Sequence, residues 1–229
     1  MTTPSGPTVW SMIRAERAAL AGDLAGLQPD QWATPSLCDG LTVRDVLAHL
    51  TAGASLNTFT WLAGVVRCRF DFDVQVAMRL AQQLGSGPAD TLARFRRTVP
   101  STTKPPLPAV AMRGETVVHG EDIRRPLGIR RDYPVETVTA VAGYYGGTDL
   151  VVVAKGRIGG LKLVAGDGPF STEDGPLVAG RTVDLVMAMT GRAACCDELD
   201  GDGVAILRGQ RDAQGEDAVV VGRVSGCGV

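Results

Sequence analysis

The stretch RGETVVHGEDIRR, residues 113–125, reads as the heart of one helix running from about Ala109 to Arg125. That helix stops before Pro126 and Gly128, two residues that end helices for opposite backbone reasons. On it Glu115 and His119 stand four residues apart, so their side chains share one face. Asp122, seven residues from Glu115, lies on the same face. Two such groups one turn apart on a rigid helix are a standard way to hold a divalent metal. A further ligand must come from elsewhere, and the chain has one other histidine, His49. It sits among Val46, Leu47 and Leu50 on a second helix, where a polar ring points inward and needs a partner. Taken singly, an E-x-x-x-H helix is usually a solvated pair, and an inward histidine usually a hydrogen-bonded core residue. Both histidines falling on inner helix faces favours a shared ligand set of His49, Glu115 and His119.

Working outward, the first half of the chain reads helical. Trp10, Ile13, Leu20, Leu24 and Leu27 form one amphipathic face, ended by Pro29. The turn-forming loop TPSLCDG spans 34–40. Thr42 and Asp45 form a capping-box-like start to the second helix, whose apolar period predicts a run to about Val66. Further helices are predicted over about 73–84 and 89–99, and KPPLP at 104–108 reads as a rigid linker. These segments predict an antiparallel four-helix bundle. After a helix over about 135–153, glycine becomes frequent and apolar runs shorten. Leu161–Ala165 reads as a strand, GPLVAG at 175–180 leads into a helix at Thr182–Thr190, and Val204–Leu207 and Ala218–Val221 are candidate late strands. The fold class is α+β: a bundle over 8–154, then a small α+β domain over 155–229. The Gly-rich end GEDAVVVGRVSGCGV is expected to be poorly ordered.

Composition narrows the function classes. A chain of 229 residues is long enough for one large or two small domains, and for a core without staples. A net charge of −2 without a basic block argues against nucleic acid and anionic membranes as partners. No apolar run approaches the ~18 residues of a membrane span, and the N-terminus lacks the signature of a signal peptide, so the expected location is cytoplasmic. The five cysteines include no C-x-x-C, and they read as reduced and mostly packed inside. Cys38, just before the second helix, reads as a packing residue, with a catalytic thiol as the competing reading.

W-x-x-I-x-x-E-R near the start, TPSLCDGLTVRDVLAHL at 34–50 and ETVVHGEDI at 115–123 together resemble the DinB-like metal-binding bundles. More closely, they resemble the mycothiol-dependent maleylpyruvate isomerase family. GLKLVAGDGPF at 160–170 and GPLVAGRTVDLVMAMTGR at 175–192 resemble that family's C-terminal domain, which is related to sterol-carrier-like folds. The resemblance covers about residues 8–208. It implies a divalent metal, usually zinc, on His49, Glu115 and His119. It also implies mycothiol as thiol cosubstrate, a small-molecule substrate, and an actinobacterial source. The last agrees with a chain in which only three of the 23 basic residues are lysines. By position Arg192 matches an arginine important to the family's isomerase. There are departures: Leu41 stands where the family usually has Trp, and the stretches around 67–72 and after Ala193 are atypical.

Two nitrogens and one carboxylate leave a coordination position open, the mark of a catalytic rather than a structural zinc site. A thiol there would be a thiolate, the nucleophilic form. A dicarboxylate substrate would want a guanidinium, and Arg192 and Arg113 are the candidates. The competing roles are a helix C-terminal cap for Arg192 and a solvated helix position for Arg113. Asp45 and Asp122 each lie one turn from a histidine and could orient its ring; Asp45 reads more simply as a helix N-terminal charge. Three functions stay open: thiol-dependent cis–trans isomerisation, mycothiol S-transfer or a biosynthetic reaction at the same metal, and non-catalytic binding of metal and an apolar ligand.

Overall fold

The computed structural model describes residues 8–172 and 174–214, which form two compact units, 8–130 and 131–214. The chain changes unit at 130/131, ahead of the 154/155 change read from the sequence.

The first unit is helical. Helix α1, Val9–Asp23, starts at Thr8, whose hydroxyl accepts from Ser11 N. It buries Ile13 and Leu20 and closes at Leu24, short of the expected Leu27. Helix α2, Val43–Ser55, opens with a full capping box between Thr42 and Asp45. It does not continue to Val66. Leu56 is extended, and Asn57 caps a new helix, α3, Thr58–Arg67, through a second capping box with Thr60. The apolar period runs across this break and hides it, because capping rather than periodicity sets a helix start.

Helices α4, Phe72–Leu84, α5, Pro88–Thr98, and α6, Ala109–Arg124, complete the unit. Helix α2 packs on α4, α5 and α6, while α1 packs on α5 and α6. Leu20, Leu24, Trp32, Val46, Leu47 and Phe95 belong to the shared apolar core. Buried cations tie the helices at their ends. Arg124 Nε lies 2.7 Å from Asp23 Oδ2, joining α6 to α1. Arg17 Nη1 donates to the carbonyls of Thr98 (3.1 Å) and Ser101 (3.0 Å) at the end of α5.

In the second unit α7, Val135–Gly147, ends at a glycine pair and an extended Thr148, shorter than the expected run to 153. It packs on α8, Thr182–Met189, every residue of which is buried. Strands β1, Lys162–Ala165, and β2, Leu177–Gly180, pair in parallel, with Lys162 opposite Leu177. The approach to β2 brings Gly175 against the Gly160 carbonyl at a φ of +155°, a place that admits no side chain. GPLVAG is therefore a strand as well as a lead-in. The candidate strand at Val204–Leu207 is instead the start of α9, Val204–Gln214. Its apolar run was too short for its period to separate strand from helix. Ala218–Val221 and the Gly-rich end lie outside the described residues. Among the described residues no helix is long and apolar enough to cross a membrane.

Leu20 is fully buried between helices. We expect Leu20→Ala to lower unfolding free energy by about 2–5 kcal/mol, read as a drop in the urea midpoint at unchanged slope. The same change at partly buried Leu27, beyond α1, should cost clearly less.

Candidate metal centre

Helices α2 and α6 pack directly on each other and bring together the three residues that the sequence singled out. His49 Nε2 lies 3.6 Å from Glu115 Oε2, and His119 Nε2 lies 3.3 Å from the same oxygen. The two imidazoles meet edge to face, with centroids 4.9 Å apart. Their side chains are 20% and 12% exposed and that of Glu115 22%, so the cluster is sheltered but reachable from solvent.

The donor set fits a divalent ion. Ligands about 2.0–2.1 Å from a tetrahedral zinc stand roughly 3.3 Å from one another. The spacings of 3.3 and 3.6 Å in this cluster are close to that edge. The group offers three protein donors, which leaves a tetrahedral position open.

Electrostatics agree with the geometry. Burial pushes the Glu115 carboxyl up, but hydrogen bonds and charge from His119 and His49 outweigh it and hold the group well below the usual carboxylate range. Burial pushes His119 down, yet the facing Cys38, Asp122 and Glu115 raise it well above an ordinary histidine.

Behind His119 stands Asp122, whose side chain has no solvent exposure. Its Oδ2 lies 2.9 Å from His119 Nδ1. A proton held on Nδ1 means that the one lost when a cation binds comes from Nε2, the nitrogen that faces Glu115 and His49. The same oxygen accepts from the Cys38 thiol at 3.0 Å, and Cys38 Sγ is 3.5 Å from His119 Nδ1. Cys38 is buried in the core cluster, as the sequence suggested, and there it also meets the site. The available signal was its position inside the tight TPSLCDG loop, two residues before Gly40, but nothing in the spacing aimed it at α6. Cys38, Cys195 and Cys196 are buried and Cys68 partly so, and all four are free thiols.

The remaining candidates fall elsewhere. Asp45 accepts from Thr42 N (2.9 Å) and Thr42 Oγ1 (2.6 Å), which is its helix-start role rather than contact with His49. Arg113 is not solvated. It is buried, with Nη1 3.0 Å from Met12 Sδ on α1, and its Nε has no hydrogen-bond partner. Arg192 belongs to the second unit, where Nη1 donates to the Thr190 carbonyl at the end of α8.

Residues 13–107 match the family model described as the mycothiol maleylpyruvate isomerase N-terminal domain, the family that the motifs resemble. The match includes Cys38 and His49, while Glu115 and His119 lie beyond it. Two solved structures share the fold. One is the mycothiol-dependent maleylpyruvate isomerase, at 14% identity and a TM-score of 0.56, covering 88% of this chain and 96% of that one. The other is a histidine-to-alanine variant of a mycothiol-dependent maleylpyruvate isomerase, at 14% identity, a TM-score of 0.57 and the same coverage. Comparison with curated protein sequences gives no match.

Metal binding here must displace the proton that the raised His119 keeps. Zinc affinity should therefore rise with pH by up to about tenfold per unit while that proton is bound, and level off above the His119 pKa. Chelator competition at pH 6, 7 and 8 reads this directly, and a flat profile would contradict the assignment of His119 as a ligand.

Proposed function

We propose that the protein is a divalent-metal enzyme that uses mycothiol to isomerise a maleylpyruvate-like cis-dicarboxylate. The observation that carries the reading is the His49–Glu115–His119 cluster, in a chain whose N-terminal half matches the domain family of mycothiol maleylpyruvate isomerase.

His49 and His119 would hold the ion through Nε2 and Glu115 through a carboxylate oxygen. Bound there, a divalent cation, zinc first, supplies a Lewis acid and a positive charge that favours the thiolate form of a thiol. Asp122 keeps the His119 proton on Nδ1 and so keeps Nε2 available. Neutral imidazoles with one anionic carboxylate leave net positive charge at the site, which suits an anionic sulfur. The thiolate adds to one carbon of the conjugated cis double bond, forming a C–S bond while the π pair moves toward the carbonyl. The bond between the two former alkene carbons is then single and rotates. Elimination breaks the C–S bond, re-forms the double bond in the trans sense and returns the thiolate unchanged, so atoms and electrons balance without an oxidant. Arg113, buried with Nη1 against Met12 Sδ, is not a free guanidinium for a substrate carboxylate.

Zinc-loaded protein given mycothiol and maleylpyruvate should produce fumarylpyruvate, followed by its absorbance. His49→Ala should lower kcat/KM by about 100-fold or more, beyond the usual 10–100-fold effect of groups outside the ligand set. Thiol consumption by a reactive electrophile without isomerisation would reassign the site to S-transfer. Inertness in both assays would leave a binding protein.

A further inference from the structure

We propose that Cys38 is a positioning residue for the metal centre: its thiol holds the Asp122 carboxylate against His119 Nδ1, which keeps Nε2 aimed at His49 and Glu115. The inference rests on the metal reading above and extends it to a residue outside the ligand set.

A carboxylate without solvent exposure must be met by donors, because an unpaired buried charge is strongly disfavoured. Asp122 Oδ2 receives the imidazole at 2.9 Å and the thiol at 3.0 Å, and the thiol sulfur lies 3.5 Å from the same imidazole nitrogen. The three atoms form a closed triangle, so a shift of any one disturbs the other two. A thiol is a weak donor to neutral groups, but an ionised acceptor strengthens the bond.

The loop is built to deliver that thiol. Leu37 N donates to the Asp122 backbone carbonyl at 3.2 Å, so the residue before Cys38 is pinned to the residue that Cys38 serves. Cys38 N donates to Ser36 Oγ at 3.1 Å, and Ser36 Oγ donates to the Leu41 carbonyl at 2.8 Å. Leu41 N returns to the Cys38 carbonyl at 3.1 Å, closing a turn that passes through Gly40 at a φ of +75°. Backbone and side chain of one loop thus converge on Asp122. A cysteine that only filled space in the core would need neither contact.

Packing and positioning separate in a variant series. Cys38→Val keeps volume and removes the donor, Cys38→Ala removes both, and Cys38→Ser keeps a donor. Zinc affinity is measured by chelator competition, and the His119 ring nitrogens are read by ¹⁵N NMR in metal-free and zinc-loaded protein. We expect Cys38→Val and Cys38→Ala to weaken zinc binding by about tenfold and to shift the Nδ1–H signal, with Cys38→Ser within about threefold of the parent. If Cys38→Val does not fold, the comparison of Cys38→Ala with Cys38→Ser carries the test. Unchanged affinity and an unchanged ring signal in the donor-less variants would overturn the proposal. If the parent protein binds no zinc, the metal reading fails, and the ring signal of the metal-free variants still decides whether Cys38 positions His119.

Discussion

A fully buried carboxylate must be met by donors, and Asp122 is where the loop before α2 is tied to α6. The donors that meet it come from two places, its own helix through His119 and the loop before α2 through Cys38. Its backbone carbonyl receives a third, Leu37 N. These bonds fix the loop 34–41 on α6, and that loop leads straight into the capping box that starts α2. The placement of His49 opposite Glu115 therefore follows from a chain of short, local contacts. It does not depend on helix packing alone, which leaves freedom of rotation and slide.

Glu115 completes the arrangement from the solvent side. Its carboxylate faces two imidazoles that approach the same oxygen. Without a cation, a proton shared among these groups supplies the positive charge, which is why His119 is pushed up and Glu115 down. A divalent ion supplies more charge in the same space and releases that proton. The arrangement that stabilises the cluster without a cation is thus one whose spacings would also suit a divalent ion.

Much of this was legible in the sequence, and the failures have specific causes. The cluster of His49, Glu115 and His119 could be read because a 3.6-residue period places Glu115 and His119 on one face, and because the chain offers only one other histidine. The α+β class was legible from the change in glycine content and run length, but the place of the change was not, since α7 belongs to the second unit, which begins at 131. The break at Leu56–Asn57 was not, since Phe59, Leu62 and Val66 continue an apolar pattern on a helix whose face they leave exposed. The helix α9 was missed because Val204–Leu207 is too short to show a period. Cys38 is packed in the core as expected, but its contacts to α6 and the burial of Arg113 were not legible, for a different reason. Their roles depend on which helix faces them, and that information is tertiary: Cys38 finds α6 across 84 residues of chain, and Arg113 finds Met12 across 101.

Helix α6 shows what such a site demands of its scaffold. Most of its residues are buried, and among them are Arg113, Thr116, Glu121, Asp122 and Arg124. A helix hidden on most sides is ordinarily apolar, since each buried polar group must find a partner or weaken the fold. Here most partners are present, although Arg113 Nε has none. Arg124 reaches Asp23, Glu121 reaches Arg125, Thr116 reaches the Met112 carbonyl, and Asp122 reaches His119 and Cys38. Such a helix gains less from burial than an apolar one would, and its polar pairs hold its rotation and register more tightly than packing could. That rigidity is what a ligand set split between two helices requires, because an error of a few tenths of an ångström between α2 and α6 would fall directly on the spacing between His49 and Glu115.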